Sequence, residues 1–332
     1  MVDPILVPLD GSPLAERVLP HVLAVTRGTT PHLDLARVLV PPTLAGDPTP
    51  TDPIAWRLAR DEATAYLDGV RTALAPTDPT DAPHDVTTHV LEGDPAGSLL
   101  AFARDAGTAL VALSSHGRSG LTGWNLGGVG HKVADHARSH LLVVRAFEDA
   151  SVRGDDGRVR PAHYRRILVP LDGSTRAECA LRTACPLAEA HDADLVLAHV
   201  LRPPGVCTAL PLGVDDRAAV DAYAHVARRH AEAYLDARAH DACPDGRPAT
   251  LRLVEDPDPV TALHAIADEE AVDLVVAAAH GRTGSRRRPY GSTVAHLVAY
   301  GATPLYVVQD LGRDDVEPSA AERAATERPG HE

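Results

Sequence analysis

Lysine is almost missing from this chain: of 32 basic residues only Lys132 is a lysine. A mechanism that needs a phosphate-loop lysine or a lysine Schiff base therefore has one candidate, and Lys132 stands in no such motif. Positive charge as a whole is short, with 32 Lys and Arg against 46 Asp and Glu and a formal net charge of −14. Phosphate backbones and anionic membrane surfaces attract a positive face, so neither nucleic acid nor membrane is an expected partner. No apolar run approaches the roughly 20 residues of a membrane-spanning helix. The opening Met1-Val2-Asp3-Pro4 passes straight into Ile5-Leu6-Val7-Pro8-Leu9-Asp10. That pattern predicts a core strand rather than a secretory leader, and hence a cytoplasmic protein. Cys179, Cys185, Cys207 and Cys243 form no C-x-x-C pair and have no His beside them at zinc-ligand spacing. Buried, reduced thiols are the expectation. The motif G-x-x-x-x-G-K-[ST] is absent, as is G-x-G-x-x-G after the first strand, which excludes standard phosphate-loop NTPases and dinucleotide enzymes.

What is present is written twice. Ile5-Leu6-Val7-Pro8-Leu9-Asp10-Gly11-Ser12 returns letter for letter at 167–174, an offset of 162 residues. Leu110-Val111 through His116-Gly117-Arg118 is echoed by Leu274-Val275 through His280-Gly281-Arg282, now at an offset of 164. A repeat this long is a whole domain, and 332 residues at about 150 per domain agree with two. The boundaries read as domain one over 1–146, a polar aperiodic linker over 147–163 carrying Gly154 and Gly157, and domain two over 164–309. The remainder, 310–332, holds seven acidic and three basic residues with few apolar ones, a composition that predicts a disordered acidic tail.

In the first copy, strands are predicted at Ile5–Leu9, Leu33–Val40, Val86–Leu91, Ala109–Leu113 and Leu141–Val144. Helices are predicted after Ser12-Pro13, over Ile54–Leu74, from Asp94-Pro95 to about Ala106, and over Gly128–Arg138. The second copy repeats the order with strands at Ile167–Leu171, Leu195–Leu201, Thr250–Val254, Leu274–Ala278 and Leu305–Val308. Alternating helices and mostly apolar strands predict an α/β fold whose parallel sheet is covered on both faces.

In such a sheet the ligand crevice lies beyond the carboxyl ends of the strands, where the winding reverses. There the first copy carries Asp10-Gly11-Ser12 and a glycine-rich stretch from Ser114 through His116, Gly117, Gly127 and Gly128. Glycines admit a phosphate to the backbone N–H groups and a helix N-terminus favours its charge, although such a loop can also merely turn the chain. His131, His136 and His140 suggest no metal site, since only His136 and His140 share helical i,i+4 spacing.

Asp10-Gly11-Ser12, Glu92-Gly93-Asp94-Pro95-Ala96 and Ser115-His116-Gly117 with Gly127 ten residues on resemble the universal stress protein family. Asp172-Gly173-Ser174, Glu255-Asp256-Pro257 and His280-Gly281 with Gly291-Ser292 repeat the likeness. The resemblance implies two tandem, doubly wound five-stranded parallel-sheet domains, Rossmann-like and of the adenine nucleotide alpha-hydrolase type, paired through their last strands. In one branch it implies ATP at a G-x-x-G-(nine residues)-G-[S/T] motif, with any Mg2+ carried by the phosphates. Ser114 and Ala278 replace that motif's first glycine, and Gly128 stands where Ser or Thr is expected, whereas Gly281, Gly291 and Ser292 match.

By the same resemblance, Asp10 and Asp172 accept hydrogen bonds from the ligand, unless they simply cap their own turns. The backbones of Val38 and Val200 face adenine, Gly117, Gly127, Gly281 and Gly291 cradle phosphates, and Ser292 adds a hydroxyl that Ser114 partly supplies in the first copy. His116 and His280 either touch the ligand or bond within the loop. Arg286, Arg287 and Arg288 either clamp a triphosphate or lie in solvated loop. The expected function is a non-catalytic, ATP-binding stress-response regulator. Two rivals stand beside it: slow ATP hydrolysis or phosphoryl transfer with Asp172 or His280 as base, and a protein with decayed sites that acts by dimerisation alone. Internal pairing of the two domains leaves a homodimer open.

Overall fold

The computed structural model describes residues 3–42, 44, 52–76, 83–115, 127–146, 152–203, 214–242, 249–282 and 289–310. The first copy runs β1 (Ile5–Pro8), α1 (Pro13–Glu16), α2 (Leu19–Val25), β2 (His32–Leu39), α3 (Pro53–Ala73), β3 (Asp85–Glu92), α4 (Pro95–Asp105), β4 (Leu110–Ser114), α5 (Gly128–His136) and β5 (His140–Val144). The second copy gives β6 (Arg166–Pro170), α6 (Thr175–Glu178), α7 (Leu181–His191), β7 (Asp194–Leu201), α8 (Val214–Ala242), β8 (Thr250–Glu255), α9 (Pro259–Glu269), β9 (Leu274–Ala278), α10 (Ser292–Tyr300) and β10 (Leu305–Val308).

The strands form one ten-stranded sheet in the order β3-β2-β1-β4-β5-β10-β9-β6-β7-β8. Each half is parallel throughout and doubly wound, the winding reversing between β1 and β4 and again between β6 and β9. The halves meet at an antiparallel pair, β5 against β10, with Leu305 opposite Val143 and Val307 opposite Leu141. Period-two alternation sends successive side chains to opposite faces. Ile5 and Val7 pack with α2 and α3 residues such as Val22 and Leu67, while Leu6 joins Leu99 of α4 and Val133 of α5 on the other face.

Three local features differ from the sequence reading. The helix after Ser12 is broken into α1 and α2, although Ser12 caps it as its sequence suggests by accepting the Ala15 N–H at 3.2 Å. The second copy breaks at the equivalent place, after Glu178, without a counterpart to Pro20, so that proline is not the sole cause. The described part of the connector, 152–163, is packed onto the first half. Val159 is 1% exposed and donates its N–H to Ala73 O at 2.8 Å, and Arg153 grips Glu16 of α1 through both terminal and Nε donors at 3.0–3.1 Å. Residues 147–151 of that segment, and 311–332 of the acidic tail, lie outside the described residues. Cys179 and Cys185 are half-buried free thiols rather than fully buried ones, and burial pushes the Cys179 thiol up to about 11. Cys207 and Cys243 lie outside the described residues.

Candidate functional site

At the carboxyl edge of each half, β1 and β6 run into a turn that only glycine takes readily: φ is +88° at Gly11 and +81° at Gly173. The turn is closed by the preceding aspartate. Asp10 Oδ1 accepts the Ser12 N–H at 2.9 Å; Asp172 Oδ1 accepts from Ser174 N at 3.0 Å and from Ser174 Oγ at 2.6 Å. Asp172 Oδ2 also accepts the Arg282 N–H at 2.6 Å, tying the end of β6 to the loop after β9. Burial opposes the charge on Asp172, but the bonds from Ser174 and the Arg282 amide outweigh it and hold the carboxyl below its usual range. A carboxylate offers about four lone-pair positions, so three protein bonds leave Asp172 about one for a ligand.

This arrangement explains Gly281. A Cβ there would stand 2.1 Å from Asp172 Oδ2, so the residue must be glycine for the carboxylate to reach the Arg282 amide. Gly291 is different in kind: a Cβ would meet Ala279 O only at 3.6 Å, an ordinary contact. Its place is the N-cap of α10, where it supplies no side-chain cap; Gly127 caps α5 in the same bare fashion. Helices α4 and α9, by contrast, are closed by Asp94, which accepts the Gly97 N–H, and by Asp258, which accepts from Val260 and Thr261. The first N–H groups of α5 and α10 thus lack a side-chain cap and carry the positive end of the helix dipole.

Between β6, β7, β9 and α10 lies a cleft with a volume of about 160 Å³. One wall is apolar, built from Ala198, Val200, Pro259, Leu263 and Leu297. The cleft is also lined by Asp172, Gly281, Gly291, Ser292 and Thr293, and by Arg202 and Arg282. Seven second-copy residues singled out from sequence border this cleft: Asp172, Val200, Ala278, His280, Gly281, Gly291 and Ser292.

His280 is bound into the structure rather than displayed. Its Nδ1 lies 2.8 Å from Asp310 Oδ1, its backbone N–H donates to the same oxygen at 3.1 Å, and the imidazole is 0% exposed. Asp310, placed by composition at the head of the tail, is itself buried at 3% and lies 3.5 Å from Arg176 Nε of α6.

In the first copy Asp10, Val38, Ser114, Gly127 and Gly128 hold the corresponding positions, while His116 and Gly117 lie outside the described residues, as do Arg286, Arg287 and Arg288 of the second copy. Ser114 Oγ donates its proton to Leu14 O at 2.7 Å, so this hydroxyl is turned to α1 and has only acceptor capacity left for a ligand. Gly127 N–H donates to Ser115 O at 2.7 Å, and a Cβ on Gly128 would meet nothing within 4 Å.

Sequence reasoning missed Arg202, Thr293 and Asp310. Arg202 lies one residue past β7 and two after Val200, so the strand's alternation carried one step further puts the two on one side, a signal available in the sequence. Asp310 closes on His280 across 30 residues and left no local signal. His136 bonds Lys132 O within α5, and His140 lies in β5, off that helix. Among the described residues no group of three or more His, Cys, Asp or Glu could hold a metal ion, and no helix is long and apolar enough to cross a membrane.

The fold and cleft define a tandem α/β protein of the doubly wound class, with a crevice at the switch point of its second half. A profile of the universal stress protein family matches residues 1–145 and again 163–309, and the chain belongs to that family. A universal stress protein of Mycolicibacterium smegmatis (strain ATCC 700084 / mc(2)155) is 33% identical over 144 residues. That match spans 43% of this chain and about half, 45%, of the relative. The fold is shared along nearly the whole chain with a universal stress protein from Archaeoglobus fulgidus DSM 4304, at TM-score 0.60 and 18% identity, covering 92% of this chain and 98% of that one. It is shared likewise with a protein of unknown function from Pseudomonas aeruginosa PAO1, at TM-score 0.59 and 16% identity, covering 98% of each chain.

Proposed function

We propose that the protein is an ATP-binding, non-catalytic stress-response regulator, and that the cleft of its second half is the principal nucleotide site. The observation that carries this reading is one cleft lined both by apolar residues and by the start of a helix whose N-terminus has no side-chain cap. A purine suits the wall at Val200, and phosphates suit the amides of α10 with the Ser292 hydroxyl. Arg202 and Arg282 add positive charge to a chain that is otherwise strongly acidic, which favours an anionic ligand. Any Mg2+ would arrive through the phosphates rather than through a cage of side chains.

Binding is favoured over hydrolysis because the imidazole of His280 has no exposed surface and is engaged by Asp310. Asp172 likewise has both oxygens bonded to protein donors, which hold its carboxyl below the usual range and make it a weak base toward an attacking water.

Calorimetric titration of the full chain with ATP tests the reading. Gly291→Val leaves φ within the ordinary range, −69°, and its first carbon meets only ordinary contacts, so the variant folds. Its branched side chain fills the approach to the α10 amides, and ATP binding at this cleft is lost. Unchanged affinity in folded Gly291→Val protein would remove the nucleotide from this site.

A further inference from the structure

The helix that faces the cleft is held at its other end by the first half of the chain. Helix α10 has no basic residue in its last turn. Arg145, directly after β5, supplies that charge from across the β5–β10 seam: its Nε donates to Gly301 O and its Nη2 to Val298 O at 3.0 Å. Gly301 accommodates the closure, since a Cβ there would stand 2.5 Å from Leu297 O. A guanidinium at a helix C-terminus satisfies carbonyls that the helix cannot satisfy itself and matches the negative end of the dipole. The segment that leads into α10 is held from the seam as well, because Gln309 Nε2 reaches Pro289 O at 3.4 Å while the Gln309 amide donates to His140 Nδ1 at 2.9 Å.

Arg145 is tied in turn to the carboxyl edge of the first half. Its neighbour Ala146 donates its N–H to Ser115 Oγ at 3.0 Å, and Ser115 O accepts the Gly127 N–H at the start of α5. Ser115, directly after β4, and the last turn of α10 are therefore linked through two hydrogen bonds, the peptide unit between residues 145 and 146, and the Arg145 side chain.

We propose that Arg145 is a positioning residue for ligand binding in the second cleft: it fixes α10 along its axis, and so sets where the amides at Gly291, Ser292 and Thr293 meet a phosphate. This rests on the proposed nucleotide site and adds to it a residue of the other half, at the far end of a nine-residue helix from the ligand. The two halves are then one binding unit. A second half stripped of its partner would keep the wall for a base and lose the setting of the phosphate end.

The test uses the full chain with two probes, ATP and adenosine, and two variants. Arg145→Met keeps the aliphatic stem and removes the donors; Arg145→Lys keeps the charge. Arg145→Met weakens ATP binding by about tenfold, the scale of a lost helix-terminus charge interaction in a partly buried setting. It leaves adenosine affinity unchanged, because adenosine does not reach the α10 amides, and Arg145→Lys recovers most of the loss for ATP. Equal losses for ATP and adenosine would show a general loosening of the domain and overturn the proposal, as would unchanged ATP affinity in folded Arg145→Met protein. If the wild type binds neither probe, the nucleotide reading falls and this inference falls with it, an outcome distinct from the first two because it is seen before any variant is made.

Discussion

The carboxyl edges of the two halves have the same frame and different furniture. Asp10 and Asp172 close identical turns, and bare glycines cap α5 and α10. Around that frame, Val40 stands where the second half has Arg202, Gly128 where it has Ser292, and Val129 where it has Thr293. Each replacement removes a side-chain donor from the edge of the first half. Ser114, the first copy's own addition, spends its proton on Leu14 O. The common frame preserves the fold of the turn; at these three positions the side-chain donors stand in the second half.

The largest change expected to break this comparison is Gly281→Ala. Its Cβ would displace the Asp172 carboxylate from the Arg282 amide. The cost is about 1–3 kcal/mol of stability by overpacking, read as a lower Tm, together with loss of ATP binding at the second cleft. Unaltered Tm and affinity would mean that the aspartate moves freely and that the close approach is incidental.

Exchanging one hydroxyl sharpens the comparison. A hydroxyl bonded to phosphate contributes on the order of 1.5–3 kcal/mol, or roughly ten- to a hundredfold in affinity. Ser292→Gly brings the second cleft down toward the first, and Gly128→Ser strengthens the first without touching the second, having open space around its new Cβ. Titration of both variants checks this; indifference to both exchanges would show that the hydroxyl is no phosphate ligand.

Acid attacks the seam that joins the two halves. His21 Nδ1 meets Tyr164 Oη at 3.0 Å, His191 Nε2 donates to Ala24 O at 2.9 Å, and His140 Nδ1 accepts the Gln309 N–H. Burial lowers the pKa of all three, that of His21 to about 4. A histidine with a folded pKa below 6.5 binds fewer protons folded than unfolded, so its neutral form's stability is full at pH 7 and is lost as pH falls below about 6.5. For His21 alone the loss between pH 7 and 5 is about 2 kcal/mol. At the far edge of the sheet the sign reverses: hydrogen bonds and charge from Asp85, with Asp34, raise the pKa of His32. Its contribution is present below 6.5 and disappears as pH rises through the raised value. Thermal unfolding of wild type and His21→Phe between pH 5 and 8 separates the two, the variant showing a shallower acid limb; parallel curves would rule out His21 as the source.

The elements and the repeat were legible because they are local. An octapeptide written twice, glycine after each first strand and alternating apolar strands fix the order of strands and helices without any long-range information. The second cleft's residues were legible for the same reason, through a motif whose spacing follows the β9 to α10 connection. What was not legible depends on contacts between distant residues of ordinary type. Val159 in a polar connector becomes core by packing at Ala73, Asp310 in an acidic run becomes the partner of His280, and Arg145 caps a helix 153 residues away. Nothing in the neighbours of these residues distinguishes them from solvated charge or linker.

The most direct test of the asymmetry is the number of nucleotides bound. Titrating the full chain with ATP to saturation is expected to give one tight site per chain, lost in Gly291→Val, followed by a second site at least roughly tenfold weaker that survives that substitution. Two sites of equal affinity, or a tight site that persists in folded Gly291→Val protein, would contradict the account.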